Sequence, residues 1–165
     1  MAYAYYYARD GMNRESDYPY TGVDGTCMKK ANTVVSTDTS ETWGFHAEYA
    51  VTPDRMKALI RTTVPAVAVT ASDFSWRYYS GGIVSTDCGY GSINHAVNAV
   101  GYGFDEELQM PFYLLKNSWG EYWGDGGFIK VSARAADAGE GNCQVHQYVQ
   151  MSDMGQEMPE PARRR

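Results

Sequence analysis

The chain has 165 residues and a formal net charge of −6, with a mass of 18.4 kDa and an isoelectric point near 5.0. This length suits one domain with a substantial core. The acidic balance argues against binding to nucleic acid or to anionic membranes, and no run of 18 apolar residues predicts a transmembrane helix.

Two helices are predicted in the first half of the chain. Residues 2–12 form an apolar run that ends at Asp10-Gly11, which is typical of a helix C-terminus. Short extended segments are expected within residues 34–51. Thr52 as N-cap and Pro53 at the first helical position predict a second helix with one buried face, which ends before Pro65.

The second half of the chain contains short apolar segments separated by turn signals. This pattern favours an antiparallel sheet or a small open barrel, and hence an α+β fold. The final stretch has two prolines and mixed charge, and we expect it to be disordered. The strand segments are 66–71, 95–102, 112–116 and 126–131, residues 79–84 form a turn into a further strand, and the tail is 152–165.

The residues that commonly bind metals or form disulfides are few. The chain has three cysteines and three histidines: Cys27, Cys88, Cys143, His46, His95 and His146. An odd number of cysteines in a secreted protein implies a free thiol or a partner outside the chain. The histidines lack metal-ligand spacing, so we expect no metal and no other cofactor.

Two segments carry residues suited to thiol-protease chemistry. His95 lies in Ser-Ile-Asn-His-Ala-Val-Asn-Ala-Val-Gly-Tyr-Gly over residues 92–103, and Asn117 begins Asn-Ser-Trp-Gly-Glu-Tyr-Trp-Gly over residues 117–124. Taken alone, His95 fits a core histidine and Asn117 a turn residue. However, a large ring beside a buried histidine–asparagine hydrogen bond excludes water and strengthens that bond. Two ordinary core tryptophans remain the alternative interpretation.

These segments resemble the histidine and asparagine motifs of the papain-like cysteine proteases, of papain and cathepsin L type. Residues 17–22 (Asp-Tyr-Pro-Tyr-Thr-Gly), Pro65 and residues 79–83 (Tyr-Ser-Gly-Gly-Ile) occur in the family's order. The likeness runs from about Ala2 to about Val145.

The resemblance implies the antiparallel, barrel-like right domain of the papain fold with flanking helices, the left helical domain being mostly missing. Residues 1–30 would be a remnant of the left domain, residues 31–151 the barrel-side peptidase domain, and residues 152–165 the disordered tail.

The resemblance also implies catalytic roles. His95 would be the general base that pairs with a thiolate, and Asn117 would hold the tautomer of its imidazole. Trp119 would shield their hydrogen bond, and Trp123 would form the wall against which the leaving segment of the substrate lies.

Three further residues would bind substrate. Val69 and Ala96 would line the main specificity pocket, which would favour a medium-sized apolar side chain at the second residue before the cut. Asn94 stands beside them where plant members of the family commonly have aspartate.

The cysteines fit the same resemblance. Cys88 and Cys143 match two positions that form a disulfide in the family, with two free buried thiols as the alternative. Cys27 matches a cysteine whose usual partner lies in the N-terminal part that we expect to be missing. Cys27 is a poor candidate nucleophile, because no tryptophan follows it and no glutamine precedes it.

The family's nucleophilic cysteine, in its Cys-Gly-Ser-Cys-Trp setting, does not occur in these 165 residues. We therefore expect a cysteine-type peptidase, acting by a Cys-His-Asn mechanism, of which this chain holds only the His-Asn half and which is inactive alone. The alternatives are a non-catalytic binding or decoy module, and one chain of a two-chain protease.

The resemblance further implies polypeptide substrates or protease inhibitors as partners, together with a separate chain that supplies the nucleophile in the two-chain case. It also implies a lysosomal, vacuolar or secreted protein, although the start of the sequence shows no basic leader typical of a signal peptide.

Overall fold

The computed structural model describes residues 14–26, 44–86, 88, 91–134 and 140–153. The chain divides into two compact units, Met1–Gly44 and Phe45–Arg165. In the first unit, residues 14–26 contain a turn in which the backbone N–H groups of Asp17 and Tyr18 each donate to the Arg14 carbonyl over 3.0 Å. The predicted helix at residues 2–12, the boundary at 30/31 and Cys27 lie outside the described residues.

The main feature of the structure is a six-stranded sheet with the strand order β1-β6-β2-β3-β4-β5. The pairs β2–β3, β2–β6, β3–β4 and β4–β5 are antiparallel, which confirms the predicted sheet. Within the described residues this order does not return to its first strand, so the sheet is open. The strands are β1 (Gly44–Tyr49), β2 (Ala66–Val69), β3 (His95–Asp105), β4 (Met110–Lys116), β5 (Phe128–Ser132) and β6 (Tyr148–Asp153).

The predicted second helix is present as α1 (Pro53–Thr62). The Thr52 side chain caps it by accepting from the Arg55 N–H over 3.2 Å. Of the four apolar residues whose helical spacing predicted a buried face, Met56 and Leu59 are fully buried and Ile60 is partly buried, whereas Val64 lies beyond the end of the helix and is exposed. No described helix is long and apolar enough to cross a membrane.

Two elements were not predicted from the sequence. A short helix, α2 (Phe74–Arg77), follows β2 and buries Trp76. Strand β6 buries Val149 and Met151 on one face. It continues to Asp153, so the first two residues assigned to the disordered tail belong to a strand, and residues 154–165 lie outside the described part.

The core lies on one face of the sheet. Because side chains alternate along a strand, every second residue of β2 to β6 points into it. The β2 residues Val67 and Val69 are fully buried, whereas Ala66 and Ala68 are only partly so. The sheet residues of this core are Val67, Val69, Val97, Ala99, Tyr113, Leu115, Ile129, Val131, Val149 and Met151.

Candidate active site

His95 is the first residue of β3, and the residue before it ties the start of this strand to β2. The Asn94 N–H donates to the Val69 carbonyl over 3.1 Å, and Asn94 Oδ1 accepts from the Ala71 N–H over 2.9 Å. His95 and Val69 are register partners. These contacts fix the position of the His95 backbone, and hence of its imidazole, where β2 ends and β3 begins.

Asn117 directly follows β4, the neighbour of β3. Its N–H donates to the Gly127 carbonyl over 2.9 Å, and its side chain is 7% exposed. Asn117 Oδ1 lies 2.7 Å from His95 Nε2 and accepts from the Ser118 N–H over 2.8 Å. Neighbouring strands therefore bring together the two polar residues that the sequence singled out.

The hydrogen bonds of Asn117 determine which nitrogen of His95 carries hydrogen. An amide oxygen only accepts, and the Ser118 N–H identifies the atom that faces the imidazole as oxygen. Nε2 of His95 must therefore be the donor. In a neutral imidazole the lone pair then lies on Nδ1, which can accept a proton. This is the arrangement of a general base with the group that orients it.

Aromatic rings surround this pair. The Trp119 ring lies 5.0 Å from the His95 ring at an interplanar angle of 32°. Trp123 meets Trp119 edge-on at 5.2 Å, and Trp76 meets His95 edge-on at 6.3 Å. Trp76 is fully buried and Trp119 is 43% exposed. The indoles limit the access of water to the histidine–asparagine bond, while Trp119 keeps one face in solvent.

The turn that carries these tryptophans depends on glycine. Gly124 has φ +65°, and a Cβ there would lie 2.6 Å from the Phe128 carbonyl oxygen. Gly127 has φ +90°, and a Cβ there would lie 3.3 Å from the Gly120 carbonyl oxygen. A larger residue at either position would displace the turn that places Trp123 beside the site.

Tyr79 supports the same aromatic cluster. Its ring lies 6.1 Å from Trp123, and its hydroxyl donates to the Gly82 carbonyl over 2.6 Å and accepts from the Lys130 N–H over 3.3 Å. Burial raises the pKa of Tyr79 above its usual value of 10.0, and the negative charge of Asp125 acts in the same direction. The phenol therefore stays neutral near pH 7 and has a structural role.

Cys88 and Cys143 form a disulfide with a Cα–Cα distance of 4.8 Å, as the resemblance implied. Both cysteines are buried. Neither is therefore available as a thiol nucleophile in this oxidised state. Among the described residues, no group of three or more His, Cys, Asp or Glu side chains could hold a metal ion.

A cavity of about 650 Å³ opens beside the start of β3. Ala68 lines it, but Val69 does not, because Val69 is fully buried on the opposite, core-facing side of β2. Val69, which the resemblance assigns to the specificity pocket, is therefore not part of the lining of this cavity. Ala96 is the register partner of Ala68 and is exposed, and Asn94 is exposed as well. The lining consists of Tyr49, Ala68, Gly91, Ser92, Ile93, Gln144, Gln147 and Tyr148.

Sequence reasoning missed Trp76 and the aromatic end of the cavity at Tyr148. Trp76 sits in a segment too short to show helical periodicity. The apolar residues Val149 and Met151, which alternate with Gln150, were the available sequence signal for β6 and for the direction of Tyr148.

The antiparallel sheet and the contact between His95 and Asn117 agree with the family that the sequence resembles. The family model described as papain family cysteine protease matches residues 1–152. The chain belongs to this family.

Individual relatives agree. The chain is 35% identical over 147 residues to the KDEL-tailed cysteine endopeptidase CEP2 of Arabidopsis thaliana, a match that covers 88% of this chain and 38% of that protein. It is 38% identical over 136 residues to cathepsin L of Sarcophaga peregrina, covering 80% and 39%. The chain thus spans about two fifths of the length of these curated relatives.

Solved structures show the same fold. The chain is similar to the bromelain protease of Ananas comosus in complex with the E64 inhibitor, with a TM-score of 0.80 and 27% identity over 92% of this chain and 66% of that one. The digestive procathepsin L2 proteinase of Tenebrio molitor gives a TM-score of 0.76 and 29% identity, covering 93% and 46%.

Proposed function

We propose that this chain is the part of a cysteine-type peptidase that carries the general base and its orienting amide. His95 Nδ1 would take the proton of a cysteine thiol and later give it to the leaving amine, while Asn117 holds the tautomer. The observation that carries the proposal is the 2.7 Å contact between His95 Nε2 and Asn117 Oδ1 beneath the Trp119 ring. Residues 31–151 would form the barrel-side peptidase domain.

The nucleophile would come from outside residues 1–165, either from sequence that precedes them or from another polypeptide. Cys88 and Cys143 are bonded to each other, and the setting of Cys27 lacks the tryptophan and glutamine expected around a nucleophile. We therefore expect the chain alone not to hydrolyse peptides, because losing the nucleophile removes most of the rate.

The substrates would be polypeptides. The cavity beside β3 would receive the side chain of the second residue before the cut, with Ala68 and Ile93 as apolar walls and Tyr148 as an aromatic one. This lining favours a medium-sized apolar group. Trp119 and Trp123 would contact the leaving segment.

The compartment would be oxidising, namely lysosomal, vacuolar or extracellular. The buried disulfide Cys88–Cys143 supports this proposal, because such bonds persist outside the reducing cytosol.

A cysteine-directed activity probe tests the proposed function. The isolated chain, with Cys27→Ser as a control for adventitious labelling, should remain unlabelled. If another polypeptide supplies the nucleophile, that polypeptide should become labelled when the chain is added to an extract from which the native protein has been removed, and His95→Ala should abolish this labelling, because the thiol loses its base. If preceding sequence supplies it, the labelled polypeptide should be a longer form of this same chain. His46→Ala, which changes an exposed histidine, should leave the labelling intact.

Two results would contradict the proposal. One is active-site labelling of the isolated chain, and the other is labelling of the second polypeptide that does not depend on His95. Binding of a polypeptide inhibitor without any labelling would favour the alternative of a non-catalytic binding or decoy module. The aromatic surface of Trp119 and the fully exposed Tyr122 is the feature that favours this alternative.

A further inference from the structure

We propose that Trp76 is a positioning residue for the imidazole of His95, a role that rests on the proposed function of that histidine. Trp76 contacts the His95 ring edge-on, with ring centres 6.3 Å apart and an interplanar angle of 85°. Trp119 contacts the same imidazole at 5.0 Å and 32°. Because the two indoles meet the imidazole at such different angles, rotation about its Cβ–Cγ bond brings it against one of them.

Trp76 is itself held firmly. The Trp76 ring lies 6.2 Å from the Trp123 ring. The backbone N–H of Trp76 donates to the Asp73 carbonyl over 3.2 Å at the start of α2. The Trp123 Nε1–H donates to the Arg77 carbonyl over 3.2 Å at the other end of the same helix. Helix α2 and the turn at residues 117–124, which carries Trp119 and Trp123, are therefore held together, and both contact the imidazole of His95.

Burial alone does not account for an indole at this position. Trp76 Nε1 is buried and has no hydrogen-bond partner among the described residues, and an unpaired buried N–H is unfavourable. A phenylalanine would fill apolar space without that donor. The larger indole extends further, which is consistent with a ring that must reach both His95 and Trp123.

The role is indirect. The ring of Trp76 is fully buried, so it contacts His95 rather than a substrate. Its effect would be to keep Nε2 on Asn117 Oδ1 and thus Nδ1 in a constant direction. Loss of the contact between Trp76 and His95 should weaken the hydrogen bond between His95 and Asn117, whereas the surface that would bind substrate should remain unchanged.

The test is nuclear magnetic resonance of the imidazole nitrogens in the full 165-residue chain. In Trp76→Leu, exchange of the His95 Nε2–H with water should accelerate about two- to tenfold, as expected for the loss of an edge-to-face ring contact. Trp76→Phe, which retains an aromatic ring, should accelerate this exchange as well, but less.

Met56→Ala is the matched control, because Met56 is fully buried in α1 and makes no ring contact with His95. It should lower stability while leaving the exchange rate of the His95 Nε2–H unchanged. If Trp76→Leu does not fold, the phenylalanine variant decides. Unchanged His95 signals in the folded Trp76 variants, or equal changes in Met56→Ala, would overturn the proposal. These signals require no cleavage, so they are independent of whether His95 proves catalytic.

Discussion

Two histidines of this chain occupy opposite kinds of environment. His95 is half-buried, bonds to an amide and lies against the partly exposed Trp119. His146 is fully buried, with Nε2 2.9 Å from the Tyr113 hydroxyl and the two rings 5.5 Å apart. The comparison shows that both imidazoles bond through Nε2, but that the ring of His95 is partly exposed whereas the ring of His146 is enclosed.

The surroundings of His146 are correspondingly tight. A Cβ on Gly141 would lie 2.6 Å from His146 Nδ1, so only glycine fits beside this ring. The Val51 N–H donates to the His146 carbonyl over 3.0 Å, and the disulfide at Cys143 lies three residues away. These contacts join β4 to the residues just before β6 and just before α1.

The largest expected effect is the loss of the disulfide. Cys88 and Cys143 are 55 residues apart, and opening a loop of this length should cost about 4 kcal/mol in the free energy of unfolding. Urea unfolding of the Cys88→Ser/Cys143→Ser variant would measure it. The His95 Nε2–H signal should persist in the folded variant. Thiol titration of the native chain should find one reactive cysteine, Cys27, and finding three would exclude the pairing.

The next effect separates the two histidines directly. His146→Ala should lower the free energy of unfolding by about 3 kcal/mol, because it opens a cavity and removes a partner of the buried Tyr113 hydroxyl. His95→Ala should cost less than about 1 kcal/mol, since its side chain is only half-buried. Urea titrations of both variants provide the comparison, and equal losses would remove the distinction drawn above.

The parts of this structure that the sequence predicted are those with local signals. Thr52 and Pro53 mark the start of α1 by their own chemistry, and the apolar run after His95 defines β3. The His95 and Asn117 motifs end up adjacent because β3 and β4 are consecutive antiparallel strands joined by a short turn. Consecutive strands joined by a short turn usually pair with each other, so this neighbourhood can be predicted from the sequence.

The missed parts depend on contacts that a local pattern does not contain. Helix α2 has four residues, too few to show periodicity, so the burial of Trp76 had no signal. Strand β6 pairs with β2, some eighty positions earlier in the chain. Ala68 and Val69 are adjacent in β2, so their side chains lie on opposite faces of the sheet, and the side chain that borders the cavity is that of Ala68.

A smaller effect concerns a charged pair that holds β1 to α1. Arg55 Nε donates to Glu48 Oε2 over 2.9 Å, and this hydrogen bond lowers the pKa of Glu48 below its usual value of 4.5. A carboxyl with a lowered pKa in the folded state stabilises the protein above its usual pKa. This stabilisation disappears as the pH falls through the folded-state value.

At pH 7, Glu48→Gln should therefore lower the free energy of unfolding by about 2 kcal/mol, the scale of a hydrogen bond to a charged group. The difference from wild type should shrink as the pH is lowered below 4.5, as measured by urea unfolding at several pH values. Asp54→Asn is the control, because Asp54 is almost fully exposed and its contact with Lys57 is 3.6 Å long. A pH-independent difference for Glu48→Gln would contradict the assignment.

The smallest effect on stability should come from Trp119, and it returns to the contrast between the two histidines. Because Trp119 is 43% exposed, Trp119→Ala should cost only about 1 kcal/mol or less. However, it uncovers the bond between His95 and Asn117, so exchange of the Nε2–H with water should accelerate. Tyr122→Ala removes a fully exposed ring from the same turn and should change neither quantity. If both variants leave the exchange rate at the wild-type value, Trp119 does not shield the hydrogen bond between His95 and Asn117. Other residues must then protect the Nε2–H from water.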